Sequence, residues 1–204
     1  MAKKFYGVRK GKKTGVFTSW DECRLSVSGY PAAEYKGFAT FEEAYAYCTL
    51  SEGTDTVTGA GANTGEVGNY AFVDGSFNAA TGVYGYGGFL MVNGVKYVIS
   101  GNGNEPDMAS MRNVAGEVLG SMAAVEKALE LGLDELSIYF DYMGIKMWAT
   151  GEWKRNKKGT MEYYDYIQSV KDKIKLNFVK VKGHSGVSGN EEADSLAKKA
   201  VGIN

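Results

Sequence analysis

Histidine occurs once in the 204 residues, as His184, and cysteine twice, as Cys23 and Cys48. A single histidine and two cysteines without metal-ligand spacing speak against a zinc site built on those side chains. The cysteines fall in separate helix-like runs and read as partly buried thiols of a reducing compartment rather than as a disulfide. Long apolar runs are also missing. Each one is broken by glycine or charge well short of the roughly 20 residues that a membrane helix needs. No apolar stretch of a secretory signal follows Met1-Ala2-Lys3-Lys4-Phe5-Tyr6, so the expected location is cytoplasmic. With 44% hydrophobic residues, the chain still has ample material for a packed core.

Acids are absent from the first twenty residues, which hold Lys3, Lys4, Arg9, Lys10, Lys12 and Lys13. Residues 1–49 carry eight lysines and arginines against five acids, whereas residues 69–204 carry fifteen against sixteen. A basic small module joined to a near-neutral larger one suggests polyanion binding by the first and chemistry by the second. Between them, residues 50–68 turn to Ser, Gly, Thr, Ala, Asn and acids, the composition of a flexible linker.

In the first module, Phe5–Arg9 and Gly15–Phe17 read as strands around the turn Lys10–Lys13. Ser19-Trp20-Asp21-Glu22 is a capping box opening a helix that ends before Gly29. Ala33–Lys36 reads as a third strand, and Thr40-Phe41-Glu42-Glu43 as a second capping box leading a helix through Cys48. This predicts a small layered α/β unit with one open sheet face.

The larger module opens with Tyr70-Ala71-Phe72-Val73-Asp74, an apolar strand expected to close on its acid. Two runs, Tyr86–Val92 and Val95–Ser100, meet at Asn93-Gly94, a strong hairpin signal. Apolar residues recur at helical spacing from Asn113 to Leu131, with Gly132 as the stop. Leu136–Phe140 reads as a buried strand closing on Asp141. Helical stretches follow near Tyr142–Ala149 and Met161–Lys173, then a strand at Leu176–Val181 and a helix at Asn190–Ala200. The pattern predicts an α/β fold with a mixed five-stranded sheet covered by helices.

The acids fall meaningfully on that layout. Asp74 and Asp141 follow neighbouring strands, while Glu117 and Asp194 lie in the first turns of two helices. Carboxylates gathered in one place repel each other, and hard divalent cations relieve that repulsion. Two such ions about 3.5–4 Å apart suit hydrolysis of a phosphodiester. His184 sits in a glycine-rich loop just before the last helix, where a proton carrier is reasonable.

Val73-Asp74-Gly75-Ser76, Gly116-Glu117, Phe140-Asp141 and the long run Gly183-His184-Ser185-Gly186 … Gly189-Asn190-Glu191-Glu192-Ala193-Asp194-Ser195-Leu196-Ala197 resemble the motifs of type 1 ribonuclease H. The last run is the specific one. The resemblance covers essentially all of residues 69–204. It implies a ribonuclease H-like sheet, with Asp74, Glu117, Asp141 and Asp194 as ligands of two Mg²⁺ or Mn²⁺ ions. It also implies His184 as an aid to product release or proton transfer, and cleavage leaving 5′-phosphate and 3′-hydroxyl ends. Gly75, Ser76, Asn113 and Asn190 are implied contacts for an RNA–DNA hybrid duplex. Residues 1–49 are similar to the small α/β hybrid-binding domain that precedes such nucleases, which implies hybrid contact by Tyr6, Trp20, Tyr35 and Lys36. No obligatory protein partner is evident, and no membrane is implied.

Some positions depart from that family. Of the asparagines and arginine that often precede the helix glutamate, Asn113 alone can take the minor-groove role. Tyr142 stands where serine is common after the strand aspartate. Glu34 and Gly37 replace basic residues near Tyr35. The segment Trp153–Thr160 keeps a basic cluster without room for an extra helix, so the N-terminal module is expected to supply some of the grip on the hybrid. The alternatives are another nuclease or integrase on the same sheet, or a catalytically weak or inactive hybrid-binding protein.

Overall fold

The computed structural model describes residues 5–17, 19–39, 43–44, 47–48, 69–181 and 187–203. The expected linker at 50–68, Thr40–Glu42 of the second capping box, and the loop 182–186 with His184 lie outside the described residues. Contacts divide the chain into two units, with the boundary between Gly68 and Asn69.

In the N-terminal unit, β1 (Phe5–Lys10) lies between β2 (Gly15–Phe17) and β3 (Glu34–Phe38), antiparallel to both. The helix α1 (Trp20–Val27) begins at Ser19, whose Oγ accepts from the Glu22 N–H at 3.3 Å and donates to the Glu22 carboxylate at 3.0 Å. The first of these bonds satisfies the Glu22 amide, which the first turn would otherwise leave unpaired, and the second holds the cap in place. Val8, Cys23 and Val27 form the small core between α1 and the sheet. The expected open sheet face is not there. On the opposite side, a Cβ at Gly7 would lie 2.7 Å from the Ala44 carbonyl and 2.8 Å from the Tyr47 ring, so a helical segment is pressed against it. Burial pushes the Cys23 thiol up and that of Cys48 to about 11, which keeps both free thiols protonated.

The larger unit is built on β4 (Tyr70–Asn78), β5 (Val83–Val92), β6 (Val95–Gly103), β7 (Glu135–Phe140) and β8 (Lys175–Lys180), in the spatial order β6-β5-β4-β7-β8. The first three form an antiparallel meander, with Asn93 (φ 50°) and Gly94 (φ 81°) making the tight turn between β5 and β6. β7 and β8 join in parallel after helical crossovers. These crossovers are the short α2 (Pro106–Ala109), α3 (Asn113–Glu130), α4 (Gly144–Ala149) and α5 (Lys158–Val170). The final helix is α6 (Ser188–Ala200).

Alternation along β4 sorts the two faces. Ala71 and Val73 join Val118, Val125, Ile138 and Phe140 in the core under α3. Phe72 points the other way, stacked on Tyr139 at 4.9 Å and close to Phe89 at 5.7 Å, beneath Gly189 of α6. The end of α6 is tied to the meander. The Asn102 side-chain amide donates to the Ala200 carbonyl at 2.7 Å, and that of Asn78 to the Val201 carbonyl at 3.0 Å. No helix among the described residues is long and apolar enough to cross a membrane.

One boundary differs in a way that matters. β4 does not end at Asp74 but continues to Asn78, because antiparallel pairing with β5 persists through Asn78↔Val83. An acid after an apolar run is a sign of leaving the core, whereas the strand here is prolonged by hairpin pairing with the strand that follows it.

Candidate active site

Parallel pairing of β4 with β7 is confined to Tyr70–Phe72 and Ser137–Tyr139. Asp74 lies two residues past the last pair on one strand and Asp141 two residues past it on the other. The point where the two parallel strands stop pairing therefore carries a carboxylate from each side, the usual place for a site in sheets of this kind.

Glu117 reaches the same point from α3 because two glycines allow the helix to approach. A Cβ on Gly75 would lie 2.1 Å from the Asn113 carbonyl and 2.4 Å from the Glu117 nitrogen, and one on Gly116 would lie 1.9 Å from the Gly85 carbonyl. Only glycine permits that contact of backbone with backbone. The outcome is that Asp74, Glu117 and Asp141 each present a carboxylate oxygen within 4.8 Å of the other two. Asp74 is 8% exposed, Glu117 2%, and Asp141 is half-buried.

The electrostatics follow from this crowding. Burial, and next the charge of Asp141, push the Asp74 carboxyl from 3.8 up to about 6. The Gly75 N–H, donating to Asp74 Oδ1 at 2.7 Å, opposes part of that rise. Burial and then the charges of Asp74 and Asp141 drive Glu117 well above the ordinary carboxylate range. Glu117 Oε2 and Asn190 Oδ1 are buried without a hydrogen-bond partner among the described residues. Buried acceptors left unpaired are costly, and a hard cation fits both the orphaned oxygen and the all-oxygen donor set.

The other expected residues distribute unevenly. Asn190 is 3% exposed, with its Nδ2 at 3.5 Å from Asp141 Oδ2. Gly75 is half-buried, Ser76 buried, and Asn113 exposed at the first position of α3. Asp194, on α6, is not one of the three converging carboxylates; its Oδ2 lies 2.7 Å from Lys198 Nζ, although its charge still reaches Asp74. Lys198 was missed by sequence reasoning, and its spacing of four residues from Asp194 was the available signal. Tyr142 is close enough for the charge of Glu117 to help hold its phenol above the usual value, behind the larger effect of burial. His184 lies outside the described residues.

In the N-terminal unit, three of the four expected contact residues form one row. Trp20 stands 5.5 Å from Tyr6 and 5.9 Å from Tyr35 between ring centroids. Trp20 and Tyr35 are each 44% exposed. Lys36 follows Tyr35 on the strand and so points to the other face, its Nζ 5.6 Å from the Phe38 ring centre. Glu34 pairs with Lys10, and Arg9 lies 4.2 Å over the Tyr47 ring, so two cations of the basic N-terminus have internal partners.

This sheet and its helices are a ribonuclease H fold. The chain superimposes on RNase H1 from Halobacterium salinarum with a TM-score of 0.51 at 22% identity, covering 65% of this chain and 96% of that one. It superimposes on LC11-RNase H1, solved in complex with an RNA/DNA hybrid, with a TM-score of 0.52 at 19% identity, covering 66% and 99%. Residues 68–202 match the family model for RNase H, and residues 4–48 match that for the Ribonuclease H1 N-terminal domain. The chain belongs to the ribonuclease H family of hydrolases and carries the N-terminal domain of its Ribonuclease H1 members. Ribonuclease H1 from Homo sapiens is 28% identical over 96% of this chain and 88% of its own length. Ribonuclease H from Francisella philomiragia is 31% identical over 64% of this chain and 89% of its own.

Proposed function

We propose that this protein is an endonuclease that hydrolyses the RNA strand of RNA–DNA hybrids, leaving 5′-phosphate and 3′-hydroxyl ends. The convergence of Asp74, Glu117 and Asp141, with Glu117 Oε2 buried and unpartnered, is the observation that carries this reading. Asp74, Glu117, Asp141 and Asp194 would hold two divalent ions, Mg²⁺ or Mn²⁺. When bound, such ions supply the positive charge that a phosphodiester displacement needs at its attacking and leaving oxygens.

The chain's own residues set up that chemistry. Asp74 and Glu117 are crowded enough to favour sharing a proton between them, and cations would release it and leave both ionised. Asn190 directs its amide at Asp141 and so orients that carboxylate toward the cluster. Gly75, Ser76 and Asn113 would meet the hybrid backbone and minor groove, and His184 would carry a proton or speed product departure. In the N-terminal unit, the row Tyr6–Trp20–Tyr35 offers flat faces for deoxyribose, while Lys36, on the opposite face of the sheet, would have to reach round its edge to meet a phosphate.

The test is incubation with Mg²⁺ or Mn²⁺ and, in parallel, an RNA–DNA hybrid, single-stranded RNA, double-stranded RNA and double-stranded DNA. Cleavage of the hybrid alone, lost in Asp141→Asn, is expected. Digestion of DNA alone, or tight hybrid binding with no cleavage in either metal, would overturn the proposal.

A further inference from the structure

Lys198 lies one helical turn beyond Asp194 on α6, with its Nζ 2.7 Å from Asp194 Oδ2. Its backbone has little freedom to move. A Cβ on Gly87 of β5 would lie 2.1 Å from the Ala197 nitrogen, and one on Gly85 would lie 2.7 Å from the Val201 side chain and 3.3 Å from that of Ala200. The helix is thus pressed onto the sheet on both sides of Lys198. Its side chain, 45% exposed and flexible, is the part that can swing.

The position of this cation is specific. It neutralises the acid that would complete the cluster with Asp74, Glu117 and Asp141, and it also feels the charge of Asp74 itself. The pair Lys96–Glu192 provides a contrast, since it joins the same helix at the same 2.7 Å and touches none of the four acids.

We propose that Lys198 is a tethered counter-ion of the carboxylate cluster, competing with divalent cations for Asp194 and thereby setting how tightly the ion at Asp194 is held. The inference rests on the reading of Asp194 as a metal ligand. An ion entering there must displace the ammonium, so an ion pair in the free protein is exchanged for a metal–carboxylate bond. Because the pair is partly exposed, the competition is modest and leaves binding reversible.

The test is titration of the full chain with Mn²⁺, reading the free ion by electron paramagnetic resonance. Lys198→Gln should tighten Mn²⁺ binding by about three-fold, within the range open to a partly exposed ion pair. Lys96→Gln should leave it unchanged. In an Asp194→Asn background the effect of Lys198→Gln should disappear. Lys198→Met and Lys198→Arg guard against a folding defect in the glutamine variant: methionine should tighten binding likewise, and arginine should not. Equal or weaker binding in both neutral variants would overturn the inference. No Mn²⁺ bound by the wild type, or undiminished binding in Asp141→Asn, would instead remove the metal-site reading on which it stands.

Discussion

Replacing Asp74 with asparagine should stabilise the metal-free protein at neutral pH while abolishing its response to divalent cations. The folded carboxyl titrates at about 6 against an ordinary 3.8, so the folded state holds its proton more tightly than the unfolded chain does. Stability is then full below the unfolded value and is lost as pH rises from about 4 to 6, because the unfolded chain releases its proton first. At 1.36 kcal/mol per unit the loss above that window is about 3 kcal/mol, a ceiling that relaxation of the neighbouring acids lowers. At roughly 2–4 °C per kcal/mol, asparagine should raise the melting temperature in chelator by up to about 12 °C. It keeps an oxygen to accept the Gly75 N–H, and its amide can donate to the unpartnered Glu117 Oε2. The assay is differential scanning calorimetry of both proteins, in chelator and in excess Mg²⁺, at neutral pH and at about pH 4. Wild type should gain stability from Mg²⁺ and the variant should not. A variant no more stable than wild type in chelator at neutral pH, or a gap that fails to shrink on acidification, would refute the reasoning.

Gly75→Ala should displace the start of α3, destabilise the protein by about 1–3 kcal/mol as overpacking does, and weaken Mn²⁺ binding in a titration, since its Cβ has no room beside Asn113 and Glu117. Trp20→Ala should weaken hybrid affinity by about 1–3 kcal/mol with little change in its salt dependence. Lys36→Ala should instead lower the salt slope by about one, as measured by fluorescence anisotropy over a salt series.

Much of the site is legible in the sequence, because its chemistry is written in local motifs. Asp74 and Asp141 each follow an apolar run, and Asp194 lies in a loop-to-helix sequence of high specificity. What was not legible depends on pairing and packing that no single segment displays. The extension of β4 past Asp74 comes from β5, and the depth of Glu117 comes from Gly116 meeting Gly85. In the N-terminal unit, Tyr35 and Lys36 look like a joint contact in the sequence, yet strand alternation sends them to opposite faces. The covering of the second sheet face was hidden for a similar reason, since Gly7 carries no apolar signal and still admits a packed helix. Lys198 was visible as spacing alone, and its meaning needed the separation of Asp194 from the other three acids.

The two asparagine amides that grip the carbonyls of Ala200 and Val201 have a consequence for handling the molecule. They anchor the helix bearing Asp194 at its far end, as a hinge pin holds a door. Trimming the chain after Lys199 would remove both acceptors, and the resulting looseness would be felt two turns away at the aspartate rather than at the cut.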